Sequence, residues 1–119
     1  MIMNKINIKT TITIDEEKIQ DNVSGSFING IISYQEKDGT YVYLDINKDE
    51  LIRENDELVM KYIFNKNRRS IGNVFIKDIN KNLELEIETK NIKKQEHNYY
   101  VEYKIEENKF IYELLYTEE

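Results

Sequence analysis

Leu83-Glu84-Leu85-Glu86-Ile87-Glu88-Thr89 decides the fold, because apolar and acidic residues alternate through it without a fault. Successive side chains on a strand point to opposite faces. Leu83, Leu85 and Ile87 therefore make an apolar row, and Glu84, Glu86 and Glu88 make a row that stays in water. A helix would scatter both rows around its axis. The stretch reads as a strand with one buried face, and most of the chain repeats its pattern less perfectly.

Upstream, residues 3–14 place Ile6, Ile8, Thr10, Ile12 and Ile14 on one face and Lys5, Asn7, Lys9, Thr11 and Thr13 on the other. Residues 15–22 read as a charged turn or a single helical turn. Residues 23–33 are interrupted by Gly25 and Gly30, which mark bulges or bends. A hairpin is expected around Lys37-Asp38-Gly39, where Asp-Gly supplies the positive φ values of a tight turn. Residues 51–53 then lead into 58–64, with Leu58, Met60, Tyr62 and Phe64 on one side. A two-residue turn at Asn55-Asp56 would pair Arg53 with Leu58 and Leu51 with Met60, putting Arg53 on that apolar face. Residues 48–59 can also be drawn as a weak helix.

Downstream, charge selects a register. Tyr99, Val101, Tyr103 and Ile105 share a face opposite Tyr100, Glu102, Lys104 and Glu106. Like charges directly opposed across antiparallel strands are unfavourable. Pairing Glu88 with Lys104 and Lys90 with Glu102 satisfies both pairs; a two-residue slip opposes Glu88 to Glu102 or Lys90 to Lys104. The predicted loop falls at 94–98. The last arm carries Phe110, Tyr112, Leu114 and Tyr116 on its better face, and a turn at Glu107-Asn108 would bring Glu102 opposite Glu113.

Eight to ten short strands at hairpin spacing, with no apolar repeat at 3.6, define an all-β chain: a sandwich or an up-and-down barrel. Closure is the better expectation, since a barrel removes the edges an isoleucine-rich sheet would expose. The 119 residues fit one domain, 1–119. A net charge of −6 argues against general nucleic-acid binding, and Lys66-Asn67-Arg68-Arg69 is the only compact basic cluster. Met1-Ile2-Met3-Asn4-Lys5 gives way to polar alternation, so no signal peptide is expected. No run approaches the ~20 apolar residues of a membrane span. The absence of cysteine fits a reducing compartment, and the expected localisation is cytoplasmic.

No catalytic constellation is recognisable, so an enzyme is not expected. His97 is the only histidine and reads as a solvated loop residue; with no cysteine it cannot build a transition-metal site. Glu84, Glu86 and Glu88 stand roughly 7 Å apart along one strand face, too far to share a calcium ion. Phosphate-loop, dinucleotide and serine-nucleophile motifs are missing, and no cofactor or metal is expected. Arg53 is the most informative residue. Pointing inward, its permanent charge needs a carboxylate, carbonyls, an aromatic face or an anionic ligand. It either plugs one barrel end or contacts ligand. Tyr62, Tyr103 and Tyr112 also lie on inward faces, where they either fill the core or line a pocket. Arg53, Tyr62, Tyr103 and Tyr112 are thus the candidate ligand-binding residues.

The order of these pieces resembles the YwiB-like family of small bacterial proteins, a domain family of unknown function. The resemblance rests on the Ile6-to-Ile14 strand, Gly30 and the Glu36-Lys37-Asp38-Gly39 turn. It rests also on Ile52-Arg53 followed by Met60-Lys61-Tyr62-Ile63-Phe64, on the Leu83-to-Thr89 stretch, and on Val101-Glu102-Tyr103. Two pieces depart from it: Ile79-Asn80 stands where relatives tend to have Tyr-Gly, and the Asn55-Asp56 turn lacks a glycine. The resemblance implies a calycin-like, or lipocalin-like, barrel and no reaction. Two functions follow. One is a non-enzymatic binding protein taking a small ligand, anionic if it meets Arg53, at the barrel mouth. The other is an interaction module with a solid core, meeting a partner or forming a homodimer through the outward residues Val59, Ile63, Ile111 and Leu115.

Overall fold

The computed structural model of the chain describes residues 4–119, so the expectation drawn from Met1-Ile2-Met3 lies outside them. Ten strands follow one another: β1 (Asn4–Ile14), β2 (Glu17–Ile28), β3 (Ile31–Gln35), β4 (Tyr41–Asp45), β5 (Glu50–Glu54), β6 (Leu58–Ile63), β7 (Arg69–Ile76), β8 (Lys81–Gln95), β9 (Asn98–Ile105) and β10 (Asn108–Glu118). Each pairs antiparallel with the next, and β1 closes the sheet against β10 with Ile8 opposite Tyr116 and Ile12 opposite Tyr112. The protein is a closed, all-β, up-and-down barrel.

Three expected boundaries are corrected. Only Asp15-Glu16 turns the chain, and residues 17–22 belong to β2 because β1 runs on to Ile14 and its backbone groups need partners along that length. Residues 23–33 are two strands, divided by Asn29-Gly30 at φ 51° and 81°, the paired positive values of a two-residue hairpin turn. Gly25 stays inside β2 for a different reason. A Cβ there would stand 2.4 Å from the Ser33 carbonyl oxygen and 2.6 Å from Ile8 Cδ1, so β2 could not lie this close to β3 with a side chain. The weak helix over 48–59 does not form; β5 is paired on both sides there.

Register differs from expectation by even steps in two hairpins. Arg53 lies opposite Met60 and Leu51 opposite Tyr62, because the turn is longer. The Asn55 side chain accepts the Glu57 and Leu58 N–H groups (2.9 Å each) and builds that turn. Asn108 lies opposite Ile105, so β10 is turned in at Glu106-Glu107. Glu113 then faces Tyr100, and Glu102 faces Ile111, which removes the Glu102–Glu113 clash. Between β8 and β9, Glu88 does face Lys104, but Lys90 bulges out and Asn91 takes its place opposite Glu102. The bulged Lys90 is held instead by Glu88, Nζ to Oε1 at 2.8 Å.

Up-and-down order sends alternate turns to opposite ends. Residues 15–16, 36–40, 55–57, 77–80 and 106–107 lie at one end; 29–30, 46–49, 64–68 and 96–97 lie at the other. At the second end the inward faces are sealed: Ile6, Ile32, Leu44, Phe64, Tyr99 and Leu114 are each 2% exposed or less. Towards the first end the same inward rows stay open, with Ile19 58%, Leu83 42% and Ile14 37% exposed. Their register neighbours Ile12, Val74 and Phe110 are only partly buried. Ten strands enclose more room than eight. The barrel is packed solid at one end and opens into an apolar cup at the other.

Candidate ligand-binding site

Arg53 points inward from β5, between Val42 and Met60 of the neighbouring strands. Its Nη2 donates to Glu36 Oε1, from the turn that follows β3. Its Nε is buried and has no partner among the described residues. Burial works against the cation, but the Glu36 hydrogen bond and charge more than offset it, so the Arg53 pKa lies above its ordinary value. Across the barrel the Tyr34 and Tyr112 hydroxyls meet at 2.7 Å. Burial is the main cause pushing both phenols up, as it is for Tyr103 and, with less force, Tyr62. The Tyr62 and Tyr103 rings stand 6.1 Å apart, and Tyr103 stacks on Phe110 at 5.1 Å.

The four sequence-predicted residues therefore share one layer across the barrel, beneath the cup, and of the four only Arg53 lines the cavity described next. Tyr34 and Glu36 complete the layer and were missed. The signal for Glu36 was the requirement that an inward arginine find a carboxylate; Glu36 opens the turn between β3 and β4, and β4 is the neighbour of β5. The Arg53 charge is thus paired within the protein, which weakens the case for an anion there, and its Nε alone is left open.

Beside that layer a cavity of about 420 Å³ opens to solvent. Its lining combines the apolar Ile12, Ile14 and Ile19 with the charged Asp21, Glu36 and Arg53. Lys37 at its edge is paired with Asp21 at 3.1 Å. The volume suits a small ligand. A larger trough of about 580 Å³ runs along the outer face of β1, but it is a shallow bend of the wall between Asn7, Lys9, Asn22 and Ser24 and gathers no buried polar group.

The sealed end has its own polar plug. Tyr99 donates to Asp49 Oδ1 at 2.9 Å and Lys94 pairs with the same oxygen at 3.0 Å. Buried Thr89 accepts the Asn65 N–H at 3.2 Å. His97 is exposed in the two-residue turn after β8, at φ 64°, with its ring 5.0 Å from Tyr116. The outward set expected to make one surface is divided. Val59 and Ile63 are on β6, Ile111 and Leu115 on β10, with β7, β8 and β9 between them. Val59 instead lies beside Phe75, on the side of the barrel that also carries Tyr41, Tyr43 and Ile52.

The Arg53–Glu36 pair predicts a coupled loss. With side chains 31% and 15% exposed, the pair is screened less than a surface bridge and more than a core one. Glu36→Leu strands the guanidinium and is expected to cost about 2 kcal/mol, below the roughly 3–5 kcal/mol of a fully buried pair. Glu36→Leu with Arg53→Met should return most of that. Urea unfolding of the four members of the cycle measures it, and simple addition of the two single losses would show that the pair is not coupled.

Fold and site together define the class: a closed ten-stranded antiparallel barrel with a polar floor and one open, apolar-lined end. No protein-family model and no curated protein sequence matches the chain. It is similar in structure to the YwiB protein from Bacillus subtilis, whose crystal structure matches with a TM-score of 0.75 over 98% of this chain and 93% of that one, at 17% sequence identity. The likeness is one of fold.

Proposed function

We propose that this barrel is a non-enzymatic binding protein that takes a small ligand in its open end, above a floor of Arg53, Tyr62, Tyr103 and Tyr112. In this reading it is a calycin-like barrel of the YwiB-like bacterial family, working in the cytoplasm. One observation carries the binding reading: the inward rows that are sealed at one end leave Ile14, Ile19 and Leu83 uncovered at the other. Exposed apolar surface inside a concavity stabilises nothing until something covers it. The cytoplasmic placement is supported by the lack of cysteine and by Glu84 and Glu86, exposed on the outside of β8, a face unsuited to lipid.

The test is titration with the neutral dye N-phenyl-1-naphthylamine. Saturable fluorescence enhancement is expected, and Ile14→Asn with Ile19→Asn should weaken it about tenfold, as loss of two apolar contacts implies. Both residues are exposed, so the fold should tolerate the change, which circular dichroism checks. Absence of saturable binding, or equal binding by the variant, would sink the reading.

An interaction module is the second reading. Its support is the outward strip of Tyr41, Tyr43, Ile52, Val59 and Phe75 on adjacent strands. Native mass spectrometry of the same samples separates the two: a dimer disrupted by Tyr43→Lys favours the strip, whereas a monomer carrying dye favours the cup.

A further inference from the structure

The turns at the two ends differ in charge as sharply as the ends differ in packing. Those at the open end hold nine carboxylates and two lysines, a net −7; those at the sealed end hold two carboxylates, two lysines and one arginine, a net +1. The whole chain carries −6, so its excess negative charge is gathered around one mouth. Of the two cations lining the cavity, Lys37 is already in that sum, and Arg53 is balanced by Asp21, which lines the cavity too. Arg53 is held by Glu36 and Lys37 by Asp21. Field lines from a charged rim are focused by low-dielectric walls, and such a mouth concentrates counter-ions and repels ions of its own sign.

We propose that the ligand of the open end is a cationic amphiphile, with its apolar body against Ile12, Ile14 and Ile19 and its charged head in the acidic rim. This rests on the binding reading above and narrows it. The apolar lining favours a hydrocarbon body, the cavity of about 420 Å³ favours a small molecule over a protein segment, and the rim decides the sign of the head. A free carboxylate or phosphate would enter against the net −7 of the turns and find the Arg53 charge already paired with Glu36, with only the buried Nε open to it.

The experiment displaces bound N-phenyl-1-naphthylamine with three competitors of equal tail length, used below their micelle concentrations: decyltrimethylammonium, decanol and decanoate. Decyltrimethylammonium is expected to compete at least about tenfold better than decanoate, with decanol between them. The preference should shrink as NaCl is raised from about 20 to 300 mM, while affinity for the neutral dye stays constant. Asp56→Lys, Glu57→Lys and Glu107→Lys together take the open-end turns from −7 to −1 and should reduce the preference to about twofold, again with dye binding unchanged. If the dye binds and decanoate competes as well as the cation, the cationic class is overturned while the cup stands. If the dye does not bind, both fall.

Discussion

Between pH 9.5 and 11 the barrel is expected to lose about 5 kcal/mol of stability, enough to unfold it if it lies at the lower end of the usual 5–15 kcal/mol. The cause is a set of four buried phenols. Tyr34, Tyr99, Tyr103 and Tyr112 are all under 9% exposed, and burial raises the pKa of each above the ordinary value of 10. For Tyr99 the Asp49 carboxylate adds to the shift. Below about pH 9 both states hold these protons, and stability does not change on their account. Above pH 10 the unfolded chain releases them while the fold retains them, so each tyrosine favours unfolding by about 1.4 kcal/mol by pH 11. Urea unfolding at pH 7, 9, 10 and 11 measures the loss, and absorbance at 295 nm follows tyrosinate. Native protein should lag behind urea-unfolded protein in that absorbance. Stability held constant through pH 11, with the native tyrosines ionising at the unfolded midpoint, would show that the four phenols are not shielded.

Phe64→Ala should cost about 3–5 kcal/mol and lower the melting temperature by roughly 15 °C. Phe64 is 2% exposed at the sealed end, immediately after β6. Its ring lies 4.8 Å from Tyr103 and 6.5 Å from Tyr62, and Tyr103 in turn stacks on Phe110 towards the cup. Its N–H donates to the Asp49 carbonyl at 2.9 Å, so the backbone on either side is fixed and the wall cannot collapse into the space left by the ring. That is the circumstance in which a cavity penalty adds to the lost transfer energy. A loss under about 1.5 kcal/mol would mean that the sealed end is loosely packed. The variant also touches function at one remove: Tyr103, which leans on Phe64, belongs to the layer beneath the cup, so dye affinity should fall at temperatures where the variant is still folded.

Much of this was legible in the chain. Alternation over Leu83–Thr89 and Ile6–Ile14 is a period-two signal that survives any register, because a slip of two residues returns every side chain to the same face. Arg53 was therefore placed inward correctly although its partner is Met60 rather than Leu58. The same insensitivity hid the true turns at 55–57 and 106–107. Charge pairing found the Glu88–Lys104 contact but could not anticipate the bulge at Lys90, since a bulge lets the ion pair form along one strand instead of between two.

One missed turn had wider consequences. Reading residues 23–33 as a single segment hides Asn29-Gly30, and in an up-and-down barrel each omitted turn exchanges the ends to which all later turns belong. The charge imbalance between the ends is then invisible, although every residue that makes it is in plain sight. By itself the sequence determined the strand content, the face of each side chain and the closed all-β class, because these are local and periodic. Only the tertiary structure decided that Glu36 neutralises Arg53 across 17 positions and that Tyr34 meets Tyr112 across 78. It also decided which end is packed and which is open. Those outcomes depend on the way ten strands stagger and close, a geometry set by all the pairings together and by no single stretch.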